Sequence, residues 1–206
     1  PLDGDIDPAQ LTQALAKGAR DLGAKIVRFC PVTAVEWLGD EWKITTPNGE
    51  IRAEYVVNAA GYRAGELGKM FGRDVPCVSL AHQYLITEPI AELTARDEKL
   101  PLLRDPDSSY YLRQEKDGLL LGPYEKNCRA HWLSSDDPMP DDFSFQLYND
   151  DLERLEWYIE DACARVPILG TAGITRVVNG PIPYTPDGLP LIGPVPGVPN
   201  AFEACV

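Results

Sequence analysis

Two spacings of apolar residues alternate along the 206 positions of the chain. Leu11, Ala14, Leu15, Ala19 and Leu22 fall three and four apart, the period of one helical face. Ahead of them, Asp7-Pro8-Ala9-Gln10 supplies a capping acceptor, a proline at the first helical position and a glutamine three residues past the cap. Gly23 offers a left-handed stop. The pattern predicts a helix over 8–22, then a strand over 25–29. Period-two alternation next predicts strands over 32–38, 41–46 and 51–57, with Pro47-Asn48-Gly49 as the turn between the second and third. A short helix is expected over 63–70.

Farther on, the alternating runs at 78–87, 110–114 and 118–123 predict a second sheet. In the first of these, His82, Tyr84 and Ile86 fall on one face, and Gln83, Leu85 and Thr87 on the other. Residues 127–142 are polar, contain proline and read as a surface loop. Asn149-Asp150-Asp151 caps a helix whose apolar positions are Leu152, Leu155, Trp157, Ile159 and Ala162, and which ends before Pro167. A strand resumes over 174–178. The run from 177 to 206 alternates short apolar strands with glycine and proline turns, and it stops at Cys205-Val206 without a closing turn or helix.

Charge narrows the function classes. With 32 acidic against 19 basic residues the net charge is -13, so nucleic acid is excluded as a partner, since phosphate binding needs clustered lysine and arginine. No apolar run is long enough to span a bilayer, and no membrane partner is expected. The five cysteines, Cys30, Cys77, Cys128, Cys163 and Cys205, are odd in number and lack a C-x-x-C pair. Neither a disulfide framework nor a metal site is expected from them, and they read as small buried hydrophobes in a reducing compartment. Hydrolase, zincin and P-loop patterns are absent.

Four segments could carry chemistry. Val56-Val57-Asn58-Ala59-Ala60-Gly61 ends a strand in small residues, which suits either a buried parallel strand or one running beneath a bound dinucleotide. His82 within a strand is either a hydrogen-bonded structural residue or an acid–base group. Tyr110-Tyr111 is either a packing pair or part of a site. The stretch from Asn179-Gly180-Pro181 to Gly188 is either a proline-fixed crossover or a wall whose bare Gly180 admits a flat ring. Arg104, Arg113 and Arg176 could each grip a carboxylate, and the sequence does not choose among them.

The segments DGDIDPAQLTQALAKGA, VVNAAGYRAGELGKM, HQYLITEPI, LPLLRDPDSSYYLRQEKDGLLLGPYE and VVNGPIPYTPDGLPLIGPVPGVPN together resemble the dimethylglycine dehydrogenase and sarcosine dehydrogenase family. These are flavoproteins of the D-amino-acid-oxidase-like superfamily, and the resemblance spans essentially the whole chain. It implies an α/β (α+β) protein: a partial, Rossmann-like FAD-binding domain over 1–74 and 171–206, and a mostly antiparallel substrate-binding sheet over 75–170. It implies cofactor contacts from Val32, Ala59, Ala60, Gly61, Gly180 and Pro181, and catalytic roles for His82 and Tyr111, with Tyr110 the alternative in the tandem. The implied reaction is oxidation of the N-methyl group of a small amino acid. Its one-carbon unit would leave as formaldehyde, or pass to tetrahydrofolate through a domain not within these residues. Its electrons would pass to an electron-transfer flavoprotein or oxygen. Bacterial cytoplasm or mitochondrial matrix is the expected location, and the five unpaired cysteines fit either.

The family also places a phosphate loop before such a chain, a histidine that can tether FAD covalently, and a glycine-rich flavin segment after it. The 206 residues are therefore expected to be an interior portion of a longer flavoprotein, inactive alone. A non-catalytic relative, like the pyruvate dehydrogenase phosphatase regulatory subunit, and an oxidase of another small amine are the alternatives.

Overall fold

A computed structural model describes residues 4–133 and 137–206. In chain order the helices are α1 (Pro8–Asp21), α2 (Ala64–Met70), α3 (Ala91–Thr94) and α4 (Glu156–Arg165). The strands are β1 (Ala34–Trp37), β2 (Trp42–Thr46), β3 (Gly49–Ala53), β4 (Val56–Asn58), β5 (Val78–Thr87), β6 (Leu103–Asp105), β7 (Tyr110–Glu115), β8 (Gly118–Pro123), β9 (Ala130–His131), β10 (Ile174–Tyr184), β11 (Leu191–Pro194) and β12 (Ala201–Cys205). The chain divides into two compact units, one formed by Ile6–Cys77 with Pro183–Val206, the other by Val78–Ile182 with Gly4 and Asp5. The mixed α/β class is the expected one: a Rossmann-like helix and sheet region and an antiparallel sheet.

In the first unit, α1 begins as predicted, with the Asp7 carboxylate accepting from the Gln10 N–H at 2.8 Å and Pro8 in the first turn. The β1–β2–β3 meander turns at Gly49, whose φ of +120° only glycine adopts without strain. Its core is built on Trp42, 3 % exposed, which packs edge-on against Phe71 at 5.3 Å and donates its indole N–H to Pro199 O at 3.0 Å. A second sheet runs β11–β12–β4, with β12 and β4 parallel.

Two expectations need correction here. The strand expected over 51–57 is two strands in different sheets: β3 uses up its partner where Ala53 meets Trp42, the first residue of β2, and β4 then pairs with β12. No strand forms over 25–29. No described strand lies beside it to complete a ladder, Phe29 sits at φ +55°, and Ile26, Val27 and Phe29 are exposed.

The second unit is a sheet of order β10–β5–β8–β7–β6, with β9 pairing to β5. The alternation expected of β5 is present: Gln83, Leu85 and Thr87 are buried, while His82, Tyr84 and Ile86 are half-buried. Leu85, Tyr110, Leu112, Leu119 and Leu121 pack with Leu155, Ala162 and Leu169 into one core. The helix after Asp151 opens as a 3-10 turn over Leu152–Leu155, with the Asp151 side chain accepting from the Arg154 N–H. That tighter turn rotates the face, so Leu155, Tyr158 and Ala162 are buried while Leu152 and Trp157, expected in the core, are exposed. The expected loop at 127–142 contains the short strand β9; its residues 134–136 lie outside the described ones. No helix among the described residues is long and apolar enough to cross a membrane.

A buried ion pair ties β5 to this turn. The Glu125 side chain, 4 % exposed, accepts from Arg154 Nε at 2.9 Å and Nη2 at 3.1 Å and from the Gln83 backbone N–H at 2.9 Å. Arg154 Nη2 also donates to Ala81 O at 3.3 Å. Gln83 completes the clasp, accepting from the Asp151 N–H at 2.8 Å and donating to Asp151 O at 2.9 Å. Removing one partner of such a pair leaves a buried charge, so Arg154→Met is expected to cost about 3 kcal/mol in urea unfolding. Adding Glu125→Gln to it should recover part of that loss, because the carboxamide oxygen still accepts from Gln83.

Candidate functional site

The half-open face of the antiparallel sheet brings polar and aromatic side chains together. Tyr110 is 1 % exposed and points into the core, so alternation along β7 leaves Tyr111 on the opposite face, the one carrying His82 and Tyr84. Tyr111 pairs with Gly122 across β7 and β8, and its ring fills the space a side chain there would take. A Cβ on Gly122 would lie 2.2 Å from Tyr111 Cζ. Gly122 is thus required by its neighbour's ring rather than by its own backbone. The Tyr111 ring meets Tyr124 at 5.8 Å with a 52° tilt. Carrying the Leu85–Leu121 and Ile86–Leu120 pairs back by one residue brings Tyr84 level with Gly122. Glycine-proline-tyrosine after an apolar run was the sequence signal for Gly122 and Tyr124; their contact with Tyr111 needs the strand register.

Electrostatics sets the protonation of this face. Burial first, then the positive charge of Arg154, pulls His82 below the ordinary imidazole value of 6.5. His82 is therefore neutral at neutral pH. Burial, reinforced by Tyr124, pushes the Tyr111 phenol up, so it stays a protonated donor. Its positively charged neighbours differ: Arg113 is bound by Glu115 at 2.7 Å and Asp5 at 3.3 Å, while Arg104 pairs across the strands with Tyr111.

Gly180 and Pro181 lie in β10, the strand beside β5. A Cβ at Gly180 would meet Leu147 Cδ2 at 3.4 Å, and Asn179 next to it is buried, donating to Asn149 O at 2.7 Å. These residues thus lie within a continuous strand, from whose end the chain passes into the other unit, as the crossover reading has it.

The other candidates belong to the other unit. Val32 precedes β1, and the next residue, Thr33, already donates its N–H to Thr45 O. Ala59, Ala60 and Gly61 follow the tip of β4, where the buried Asn58 donates to Ala64 O at 3.0 Å and accepts from the Ala60 N–H at 3.3 Å. Gly61 has φ +57°, and a Cβ on it would meet nothing within 4 Å. Gly61 thus faces open space past the strand tip, which would admit the close approach a dinucleotide makes. No group of three or more His, Cys, Asp or Glu among the described residues could hold a metal ion.

The family described as DAO, FAD dependent oxidoreductase, matches residues 1–205. Mitochondrial dimethylglycine dehydrogenase of Mus musculus is 46 % identical over 99 % of the chain and 24 % of its own length. Mitochondrial sarcosine dehydrogenase of Homo sapiens is 37 % identical over 100 % of the chain and 22 % of its own. The chain thus spans about a quarter of these relatives. Among solved structures, L-proline dehydrogenase from P. horikoshii superposes with a TM-score of 0.80 at 25 % identity, covering all of this chain and 51 % of the other. A match along all but the last residue places the chain in the DAO family of FAD dependent oxidoreductases.

Proposed function

We propose that the protein oxidises the N-methyl group of a small amino acid, dimethylglycine or sarcosine, with FAD as cofactor. The observation that carries this reading is a neutral His82 on the same face as the Tyr111 ring, over a glycine cleared for it. Higher identity to dimethylglycine dehydrogenase than to sarcosine dehydrogenase favours the tertiary amine.

In this reading Val32, Ala59, Ala60 and Gly61 are the first unit's cofactor-binding residues, and, taken by itself, the second unit offers Gly180 and Pro181. FAD, when bound, supplies the two-electron acceptor. The chain's own residues manage the proton. An amino acid arrives with its nitrogen protonated, and the C–H bond of its methyl group yields a hydride only once the nitrogen lone pair is free. His82, held neutral, accepts the ammonium proton. The Tyr111 hydroxyl, held protonated, donates a hydrogen bond and orients the substrate.

Mixing the flavin-loaded protein anaerobically with dimethylglycine or sarcosine should bleach the oxidised flavin band, faster with dimethylglycine. A flavin that neither amine reduces would overturn the proposal.

His82→Asn should lower kcat/KM by about 10²–10⁴-fold, the usual contribution of a positioned acid–base group. The sign of the pH effect follows from the depressed imidazole value. The active form is unprotonated, so activity persists as pH falls to 6.5 and declines only below it. That acid limb should vanish from the pH profile of the variant.

Gly122→Val places side-chain atoms where the Tyr111 ring lies and must expel it. An increase in KM of about tenfold, with flavin content retained, is expected if Tyr111 orients substrate. An unchanged KM would remove Tyr111 from the site.

A further inference from the structure

His82 stands at a gap in the sheet. β5 pairs with β8 at Leu85 and Ile86, and with β9 at Ser79 and Leu80, where the Ala81 N–H still reaches Arg129 O. Between those stretches the Ala81 carbonyl and the Gln83 N–H meet side chains in place of a strand. Arg154 Nη2 donates to the first at 3.3 Å, and Glu125 accepts from the second at 2.9 Å. Arg154 and Glu125 are themselves joined through Nε at 2.9 Å and Nη2 at 3.1 Å, so one ion pair ties together the two residues that flank His82. Arg154 comes from the turn that Gln83 clasps through Asp151, on the buried side of β5, while His82 alternates to the open face. Filling two ladder positions does not require ions. A neutral side chain satisfies them without the desolvation cost of a carboxylate that is 4 % exposed. What the charged pair adds is a rigid fork geometry and a permanent positive charge near the imidazole.

We infer that Glu125 and Arg154 are positioning residues for His82, fixing the backbone on either side of it so that its imidazole meets substrate in one orientation. This rests on the amine-oxidising reading above, in which His82 takes the substrate's proton. The guanidinium has a second effect, through space. Charged and titratable groups on the elements beside this part of β5 are Arg129 and His131 at β9, Arg176 on β10, and Glu125, Asp151 and Arg154 of the clasp. On the open face stand Tyr84, and Tyr111 with its neighbour Tyr124. After loss of hydration, the influence acting on His82 is that of Arg154, which disfavours the imidazolium. Arg154 therefore serves twice, as a brace through its hydrogen bonds and as a charge that keeps the imidazole free to accept. The sign follows: without that charge His82 holds its proton to higher pH, and the acid limb of activity moves upward.

The test compares three variants of the flavin-loaded protein with dimethylglycine as substrate. Arg154→Gln removes the charge and the fork. It should lower kcat by about 10–100-fold with KM changed less than about threefold, and move the acid limb up by about half a pH unit. Arg154→Lys keeps the charge but not the fork, so the limb should stay in place while kcat is only partly recovered. Arg165→Gln is the control. It breaks an ion pair with the buried Asp105 at the other end of α4, and should cost stability without moving either kcat or the limb. A limb that stays in place in Arg154→Gln, or that moves equally in Arg165→Gln, would overturn the inference. Should Arg154→Gln not fold, Arg154→Lys decides, because an unchanged kcat there excludes a positioning role. NMR of isotope-labelled histidine, with the His82 signal identified by its loss in His82→Asn, separates this idea from the one it rests on. If no amine reduces the flavin, the amine-oxidising reading falls, yet the His82 signal must still titrate about half a unit higher in Arg154→Gln. If reduction proceeds and that signal does not move, the inference falls alone.

Discussion

A buried carboxylate governs the antiparallel sheet. β8 ends at Pro123, and β5 is paired again by the segment at Arg129 and β9 only from Ala81 back, so the ladder is interrupted near position 83. A strand that loses its neighbour leaves backbone donors and acceptors to be satisfied in another way. Glu125 and Arg154 take over: the carboxylate accepts from Gln83 N–H, and the guanidinium donates to Ala81 O. The two side chains substitute for the missing stretch of ladder. They hold the backbone on both sides of His82, the residue between. Burying a carboxylate raises its proton affinity, and here burial is the largest influence on Glu125, opposed by Arg154 and by the Gln83 N–H. The pair is best understood as a device for ending a strand without freeing it.

The same constraint explains why one face of the sheet can carry chemistry. The core-facing side is filled by Leu85, Leu112, Leu119 and Leu121 against the helical layer. Pleating sends the alternate residues of β5 and β7 the other way, and there His82, Tyr84, Tyr111 and Arg113 stand among Leu80, Ile86 and Glu115. A glycine in the middle of β8 weakens a strand on general grounds, since it packs no side chain. Gly122 recovers that loss through its neighbour, because the Tyr111 ring occupies the vacated space. A local defect in propensity thereby becomes the means of laying an aromatic ring flat across the sheet.

Much of this was legible in the sequence, and the failures share a cause. The cap of α1, the Asn48-Gly49 turn and the alternation of β5 depend on neighbours within four residues, and all three are present. The strand over 25–29, the single strand over 51–57 and the core positions Leu152 and Trp157 depended on what lay beside the segment in space. Apolar alternation at 51–57 could not disclose that its two halves pair with different sheets, one antiparallel to β2 and one parallel to β12. In the site, alternation separates Tyr111 from Tyr110 once β7 is known to have a buried face. The link between Arg104, Tyr111 and Gly122 is a matter of register across three strands. No spacing along one strand contains it.

The protonation of His82 shows which scale of electrostatics wins. A net charge of -13 would, acting as a uniform field, favour the imidazolium and raise its proton affinity. The displacement is in the opposite direction. Exposed carboxylates more than about 8 Å away are screened at physiological ionic strength, so most of the 32 acidic residues count for little at this position. Nearby, the positive charge of Arg154 also disfavours the imidazolium, as the smaller of two influences. That leaves loss of hydration as the largest influence, and it acts against the charged form whatever the protein's overall charge. Surface acidity and a neutral imidazole therefore coexist, because the first is set by composition and the second by the few groups packed around one strand.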